Sequence, residues 1–212
     1  MSSREAVLGR IRSALAADTA PPPPVPRDYI RVGANPPGSE PVLELMVDRL
    51  VDYKAQVREV SPAELGDAIN TALADQTSVV IARDLDPALI EAIGRGGRVV
   101  TVDGDPIVLT PAELDGIDAV VSTAQVAIAL SGTIVLDAGP GQGRRAITLV
   151  PDRHVVILTA MQVVETVAEA VALLNPTAPL TMIAGPSATS DIELERVEGV
   201  HGPRTLHVII VD

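Results

Sequence analysis

Glycine, arginine and hydroxyl residues, the usual donors to an anion, crowd into two stretches of the chain. The first is Ser131-Gly132-Thr133 followed by Gly139-Pro140-Gly141-Gln142-Gly143-Arg144-Arg145. Glycines at alternate positions let successive backbone amides point into one concavity. Two adjacent guanidiniums beside it supply fork-shaped donors for a phosphate or a carboxylate. The same residues also suit a hairpin tip, with the glycines in turns and the arginines solvated. The pattern is not a Walker loop, which needs a Lys, and Gly139, Gly141 and Gly143 do not follow the G-x-G-x-x-G dinucleotide fingerprint.

The second stretch is Gly185-Pro186-Ser187-Ala188-Thr189-Ser190-Asp191-Ile192-Glu193, continued by Glu198-Gly199-Val200-His201-Gly202-Pro203-Arg204. It brings together the hydroxyls of Ser187, Thr189 and Ser190, the carboxylates of Asp191, Glu193 and Glu198, and the cationic or titratable groups of His201 and Arg204. A loop of this kind leaving the carboxyl end of a strand is where open α/β sheets bind ligands. Its plainer reading is a capped turn, with Ser190 as the cap and Glu193 completing a box. The expected ligand-binding set is therefore Ser131, Gly132, Thr133, Gly139, Gly141, Gln142, Gly143, Arg144, Arg145, Ser187, Thr189, Ser190, Asp191, Glu193, Glu198, His201 and Arg204, with an anion held between the two stretches. No catalytic residue is assigned. Asp191, Glu193, Glu195, Glu198 and His201 match no known ligand spacing, so no metal is expected. His154 and His207 fall in or beside apolar strands and read as strand residues.

Composition narrows the classes. Sixteen basic and 28 acidic side chains give a formal charge of -12, a field that repels phosphate backbones and anionic membranes, so nucleic acid is not an expected partner. Tyr29 and Tyr53 are the sole aromatics, which removes the stacking platforms of single-strand binders and leaves an aliphatic core suited to buried parallel strands. Cysteine is absent, so this chain holds no disulfide, no thiolate nucleophile and no cysteine-ligated iron–sulfur cluster. Arg4, Glu5, Arg10 and Arg12 interrupt any secretory signal, and the uncharged run from Ala119 to Leu136 carries too many Ser, Thr, Gln and Gly residues for a membrane span. A cytoplasmic protein is expected.

The elements that must position these stretches read as an alternation of helices and strands. Ser2 and Glu5 have capping-box spacing, and Val7, Leu8, Ile11 and Leu15 then share one face of an N-terminal helix. The run from Pro21 to Pro26 makes a stiff extended linker, so residues 1–38 form an appendage and 39–212 the main domain. In that domain, helices are expected over Glu40–Tyr53, Pro62–Ala74 (capped by Ser61, with Glu64), Pro87–Ile93, a short segment after Thr110 and Glu113, and Gln162–Leu174. Strands are expected over Gln56–Val60, Ser78–Ala82, Arg98–Val102, Asp118–Ser122, Ala127–Leu130, Thr133–Leu136, Ile147–Val150, Val155–Leu158, Leu180–Ala184 and Leu206–Val211. This rhythm predicts an α/β fold with a mainly parallel sheet flanked by helices and a β-hairpin insertion in the middle.

At the two stretches the chain resembles the lactate utilisation protein C family, or more broadly the LUD domain. Ser131 to Leu136, Gly139 to Arg145, Leu149-Val150-Pro151-Asp152 with His154, and the run Gly185 to Glu193 continuing through Arg196 to Arg204 carry the likeness, which extends from about Val42 to the C-terminus. The resemblance implies the fold shared by sugar-phosphate isomerases and CoA transferases. It also implies a part in oxidising L-lactate to pyruvate beside partner subunits similar to iron–sulfur oxidoreductases, whose clusters would carry the electrons this cysteine-free chain cannot. The family pattern has Glu and Thr before the Gly-Thr pair where this chain has Leu130 and Ser131. Three functions are compatible with this reading: an accessory or substrate-handling component that binds a small carboxylate or a phosphate-bearing ligand, a pure interaction subunit, and a stand-alone isomerase or acyl-CoA transferase. A homo-oligomer is compatible with each.

Overall fold

A computed structural model describes residues 2–17, 24–189, 197–198 and 202–212. The N-terminal helix α1 (Ser3–Ala17) opens with the expected reciprocal cap: Ser2 N donates to Glu5 Oε2 (2.7 Å) and Glu5 N to Ser2 Oγ (3.3 Å). Its apolar residues Val7, Ile11 and Leu15 stay exposed.

The chain then alternates α2 (Glu40–Asp52), β1 (Gln56–Val60), α3 (Leu65–Ala72), β2 (Ser78–Ala82), α4 (Pro87–Gly94), β3 (Val99–Asp103), α5 (Pro111–Asp115) and β4 (Ala119–Thr123). There follow β5 (Val126–Ile128), β6 (Thr133–Leu136), β7 (Arg153–Thr159), β8 (Val163–Val164), α6 (Val167–Leu173), β9 (Thr181–Ile183), β10 (Ala188–Thr189), β11 (Val197–Glu198) and β12 (Thr205–Val211). The main sheet has the order β1-β12-β7-β4-β2-β3 with every pairing parallel. A second sheet runs β8-β5-β6-β9, with β5 and β6 forming the expected antiparallel hairpin.

Alternation along the central strands splits the core into layers. Ile69 from α3, Leu73 just after it and Ile93 from α4 bury one face of the main sheet against Val79, Ile81, Val121, Val155 and Ile209. On the other face, Met46 and Leu50 of α2 pack with Val156, Leu158, Val208 and Ile210, and with Ala127, Ile134 and Val163 of the second sheet. α6 covers the far side of that second sheet over Val126, Ile128, Val135 and Val164. Burying aliphatic side chains on both faces is what stabilises a parallel sheet that has no aromatic residue to anchor it.

Three expectations are corrected. Residues 147–150 form no strand; after Arg144 the chain turns, and Ile147 buries against Val80, Ala82, Leu114 and Val120 instead of joining a ladder. The helix expected over Gln162–Leu174 begins only at Val167, because Val163 and Val164 pair with Ala127 and Ile128, and Thr166 with Glu169 makes the true capping box. The helix expected over Pro62–Ala74 starts only at Leu65, and at Ser61 just half of the box forms: Ser61 N and Oγ donate to Glu64 Oε2 (3.0 and 2.6 Å), while Glu64 N donates to the Ser61 carbonyl (3.0 Å) and not to its hydroxyl.

Candidate functional site

The glycine loop lies at the carboxyl ends of β2, β3 and β4. Its amides are answered by the chain itself: Gly139 N donates to Asp137 Oδ1 (3.1 Å), Gly141 N to Asp84 Oδ1 (3.1 Å) and Gln142 N to the Gly139 carbonyl (3.1 Å). The buried Gln142 side chain ties the loop shut, accepting from Asp137 N (2.7 Å) and donating to Asp137 Oδ1 (3.1 Å). Gly141 has φ 74°, and a Cβ there would stand 2.8 Å from Thr123 Oγ1, so only glycine fits this approach. These amides hold the loop's own shape and do not converge on an open concavity.

The two arginines, alike in sequence, have different surroundings. Arg144 donates from Nε to Asp103 Oδ2 (2.7 Å) and from Nη2 to Asp103 Oδ1 (2.8 Å), and also to the Leu109 carbonyl. Asp103 is 2% exposed and accepts from Leu109 N as well (2.8 Å). Burial pushes its carboxyl up, but the Arg144 hydrogen bond, the Leu109 amide and the Arg144 charge outweigh that and hold it below the usual carboxylate range. The fork-shaped donor thus meets a carboxylate, but one supplied by the end of β3. Arg145 is exposed and makes no ion pair or side-chain hydrogen bond among the described residues.

Beside Arg145 a small cavity of about 20 Å³, lined also by Gly143, Thr148 and Thr181, adjoins a larger one of about 140 Å³ that shares Thr148 and Thr181. The larger cavity is lined by Gly185, Pro186 and Ser187, by Gly202 and Pro203, which the Ser187 N–H joins through its bond to the Pro203 carbonyl (2.8 Å), and by Leu149, His154, Met182 and Leu206. The two stretches therefore line adjoining cavities, Gly143 and Arg145 the smaller and Gly185, Ser187 and Gly202 the larger, and Thr148 and Thr181 border both. The cleft sits at the amino ends of β7 and β12, because β9 belongs to the second sheet and residues 145–150 cross the main sheet toward that end.

The cleft mixes apolar walls with a few polar groups. Thr148 Oγ1 donates to the Arg145 carbonyl (3.0 Å), while the Thr181 hydroxyl has no hydrogen bond among the described residues. His154 is 1% exposed and its Nε2 lies 2.8 Å from the buried Ser122 Oγ. Burial drives the imidazole pKa down to about 3, so it is neutral at physiological pH. Ser122 is fully buried, and among the described residues no carboxylate orients His154. The pair therefore supports the floor of the cleft and lacks the arrangement of a nucleophilic triad.

The other predicted residues are dispersed. Ser131, Gly132 and Thr133 stand at the opposite end of β6 from the glycine loop. There Ser131 Oγ and Thr133 Oγ1 are 2.9 Å apart and Gly132 packs on Arg49 and Tyr53 of the α2 terminus; none of the three lines the cleft. Thr189 and Glu198 belong to the paired strands β10 and β11. Arg204 forms an ion pair with Asp152. Ser190, Asp191, Glu193, Glu195 and His201 lie outside the described residues. Among the described residues no three His, Asp or Glu side chains are grouped to hold a metal ion, and no helix is long and apolar enough to cross a membrane. Thr148, Thr181 and the Ser122–His154 pair went unnoticed in sequence, since a hydroxyl in an apolar run looks like an ordinary strand residue.

Comparison with known proteins agrees with the fold and its signature stretches. The family profile described as LUD domain matches residues 43–211. Lactate utilization protein C of Deinococcus radiodurans is 42% identical over 97% of this chain and 93% of its own length. The protein of the same name from Macrococcus caseolyticus is 35% identical over 43% of each chain. Among solved structures, a crystal structure of a DUF162 family protein from Deinococcus radiodurans superposes with a TM-score of 0.67 at 38% identity, covering 81% of this chain and 97% of that one. With a profile spanning most of the main domain and a relative aligned almost end to end, the chain belongs to the LUD domain family.

Proposed function

We propose that this chain is an accessory, substrate-handling component of L-lactate oxidation to pyruvate, and that the cleft between Thr148, Thr181, Gly185 to Ser187 and Gly202 holds a small carboxylate. The observation that carries this reading is the cleft itself. At about 140 Å³ it is well below the ~300–1,000 Å³ of sites for drug-sized ligands, so it suits a molecule of a few heavy atoms. Arg145, which lines the small adjoining cavity that shares Thr148 and Thr181 with the cleft, supplies a guanidinium not committed elsewhere in the described structure, the Thr181 hydroxyl a hydrogen bond, and Leu149, Met182 and Leu206 the apolar surface a methyl group needs. A lactate-sized anion matches that set, as does the name of the relative from Deinococcus radiodurans. The cleft is too small for the bulk of an acyl-CoA, which counts against the transferase reading. No iron–sulfur cluster can be ligated by cysteine in this chain, so electrons would pass to cluster-bearing partner subunits. The test is calorimetric titration of the protein with L-lactate and with pyruvate. Binding of either that weakens about tenfold or more in Arg145→Ala and Thr181→Val supports the reading. Heats indistinguishable from dilution for both ligands refute it.

A second reading, a subunit whose work is to bind partners, is favoured by one observation: α1 exposes Val7, Ile11 and Leu15. Affinity capture from native lysate of the source cells tests it, since cluster-bearing proteins should be retained by the full chain and lost when residues 1–23 are removed. Equal retention by both forms would refute a role for the helix.

A further inference from the structure

A second groove, sharing no lining residue with the cleft, opens at the edge of the main sheet where the amino ends of β1 and β12 pass under the last turn of α3. It measures about 300 Å³ and is lined by Gln56, Arg58, Thr71, Ala72 and His207, among others. β1 is the edge strand, and the parallel register pairs Gln56 with His207 and Arg58 with Ile209, which sets Arg58 and His207 on the same, α3-facing side of the sheet. Nε2 of His207 is buried with no hydrogen-bond partner, an unsatisfied state that native proteins rarely tolerate. Arg58, exposed at the mouth, makes no ion pair or side-chain hydrogen bond among the described residues.

The charges around the groove select the sign of an occupant. Arg153 stands next to His207 and is anchored by donating to the Ala72 carbonyl (2.9 Å) and pairing with Asp75 (3.6 Å). That contact answers a carbonyl at the α3 terminus that would otherwise oppose an anion, and it occupies the nearby carboxylate. No Asp or Glu lines the groove. Burial first, then the positive charges of Arg153 and Arg58, depress the His207 pKa to about 4, with Asp75 opposing, so the ring is neutral and offers one N–H. In a chain of charge -12 this is a local cationic concavity with a hydrogen-bonding group at its base.

We infer that this groove is an anion-binding site, in which Arg58 supplies charge and the His207 ring, rotated to bring its buried Nε2 to the groove, a hydrogen bond to a small oxyanion of the phosphate or carboxylate type. The experiment uses full-length protein labelled with ¹⁵N-histidine and titrated separately with inorganic phosphate and with acetate, the His207 ring signal being assigned through His207→Leu. The expected result is a saturable movement of the His207 resonance with a Kd on the order of 1 mM or below for one or both anions. Arg58→Ala should weaken it about tenfold or more, and Arg145→Ala, in the separate cleft, should leave it unchanged. Tighter binding of phosphate identifies a tetrahedral occupant, and tighter binding of acetate a carboxylate. A His207 signal that moves with neither anion, or that moves equally in Arg58→Ala, overturns the inference. Arg58 is an exposed residue on an edge strand, so its replacement leaves the fold intact and the comparison interpretable.

Discussion

Replacing Arg144 and Arg145 one at a time separates a structural guanidinium from a ligand-facing one. In Arg144→Ala the Asp103 carboxylate, 2% exposed, loses both guanidinium hydrogen bonds and the opposing charge, keeping only the Leu109 amide. Breaking a buried ion pair from one side costs about 3–5 kcal/mol. The Arg144 side chain is 35% exposed, so water can enter the space it leaves, which puts the expected loss at the lower end, about 3 kcal/mol. For a domain of this size that corresponds to a fall in Tm of about 6–12 °C. Arg145→Ala, which severs no side-chain hydrogen bond or ion pair among the described residues, should stay within about 0.5 kcal/mol of wild type. Urea denaturation followed by circular dichroism measures both. The pH dependence adds a signature: Asp103 has a depressed pKa in the folded state, so its contribution is present above the unfolded carboxylate pKa and is lost as pH falls through the folded one. The gap between wild type and Arg144→Ala should therefore narrow below about pH 4. Equal stability of Arg144→Ala and wild type at pH 7, or an equal loss in Arg145→Ala, would refute the assignment.

Three further outcomes are expected. Since the His154 pKa falls from the ordinary 6.5 to about 3 on folding, the unfolded chain takes up the proton first; its contribution is complete above pH 6.5 and declines toward pH 3. This makes wild type about 2 kcal/mol less stable at pH 5 than at pH 7 from this residue alone, and His154→Gln should show a correspondingly flatter pH profile in urea; an unchanged slope would count against a neutral buried histidine. Gly185→Ala places a Cβ 2.6 Å from Tyr53 Cβ at φ 79°, so it should cost about 2 kcal/mol or more in chemical denaturation, and adding Tyr53→Ala should not restore it, because alanine keeps the Cβ; stability equal to wild type would refute the clash. Deleting residues 1–23 should move the Tm of the isolated protein by less than about 2 °C, because the apolar residues of α1 are exposed and contribute no core; a larger fall in a thermal scan would show that the helix docks on its own domain.

Local signals were legible in sequence and distant ones were not. The strands Gln56–Val60 and Ser78–Ala82 and the capping boxes at Ser2 and Thr110 could be read because each depends on residues a few positions apart. The α6 error came from periodicity: Val163, Val164 and Val167 suit a helix face, yet the first two are β-branched residues claimed by the partner strand β5, a pairing no local window contains. Ile147 shows the same limit, its apolar neighbours being drawn to a core patch and not to a ladder. At the site, adjacency made Arg144 and Arg145 look equivalent, and their difference rests on Asp103, 41 positions away. Glycines 139, 141 and 143 were recognised as a constrained loop, but the acceptors that use their amides, Asp84 and Asp137, were not. The cleft residues Thr148 and Thr181 come together only because the second sheet folds across the first.

A small carboxylate bound in the cleft would be held toward Arg145, which lines the adjoining cavity. The most direct measurement is a crystal structure of the protein soaked with pyruvate or L-lactate, paired with the same soak of Arg145→Ala. Density is expected for one carboxylate between Thr181 and Gly202 with its oxygens toward Arg145, and none in the cleft of the variant. Density in both crystals, or a ligand found only away from Thr148 and Thr181, would contradict it.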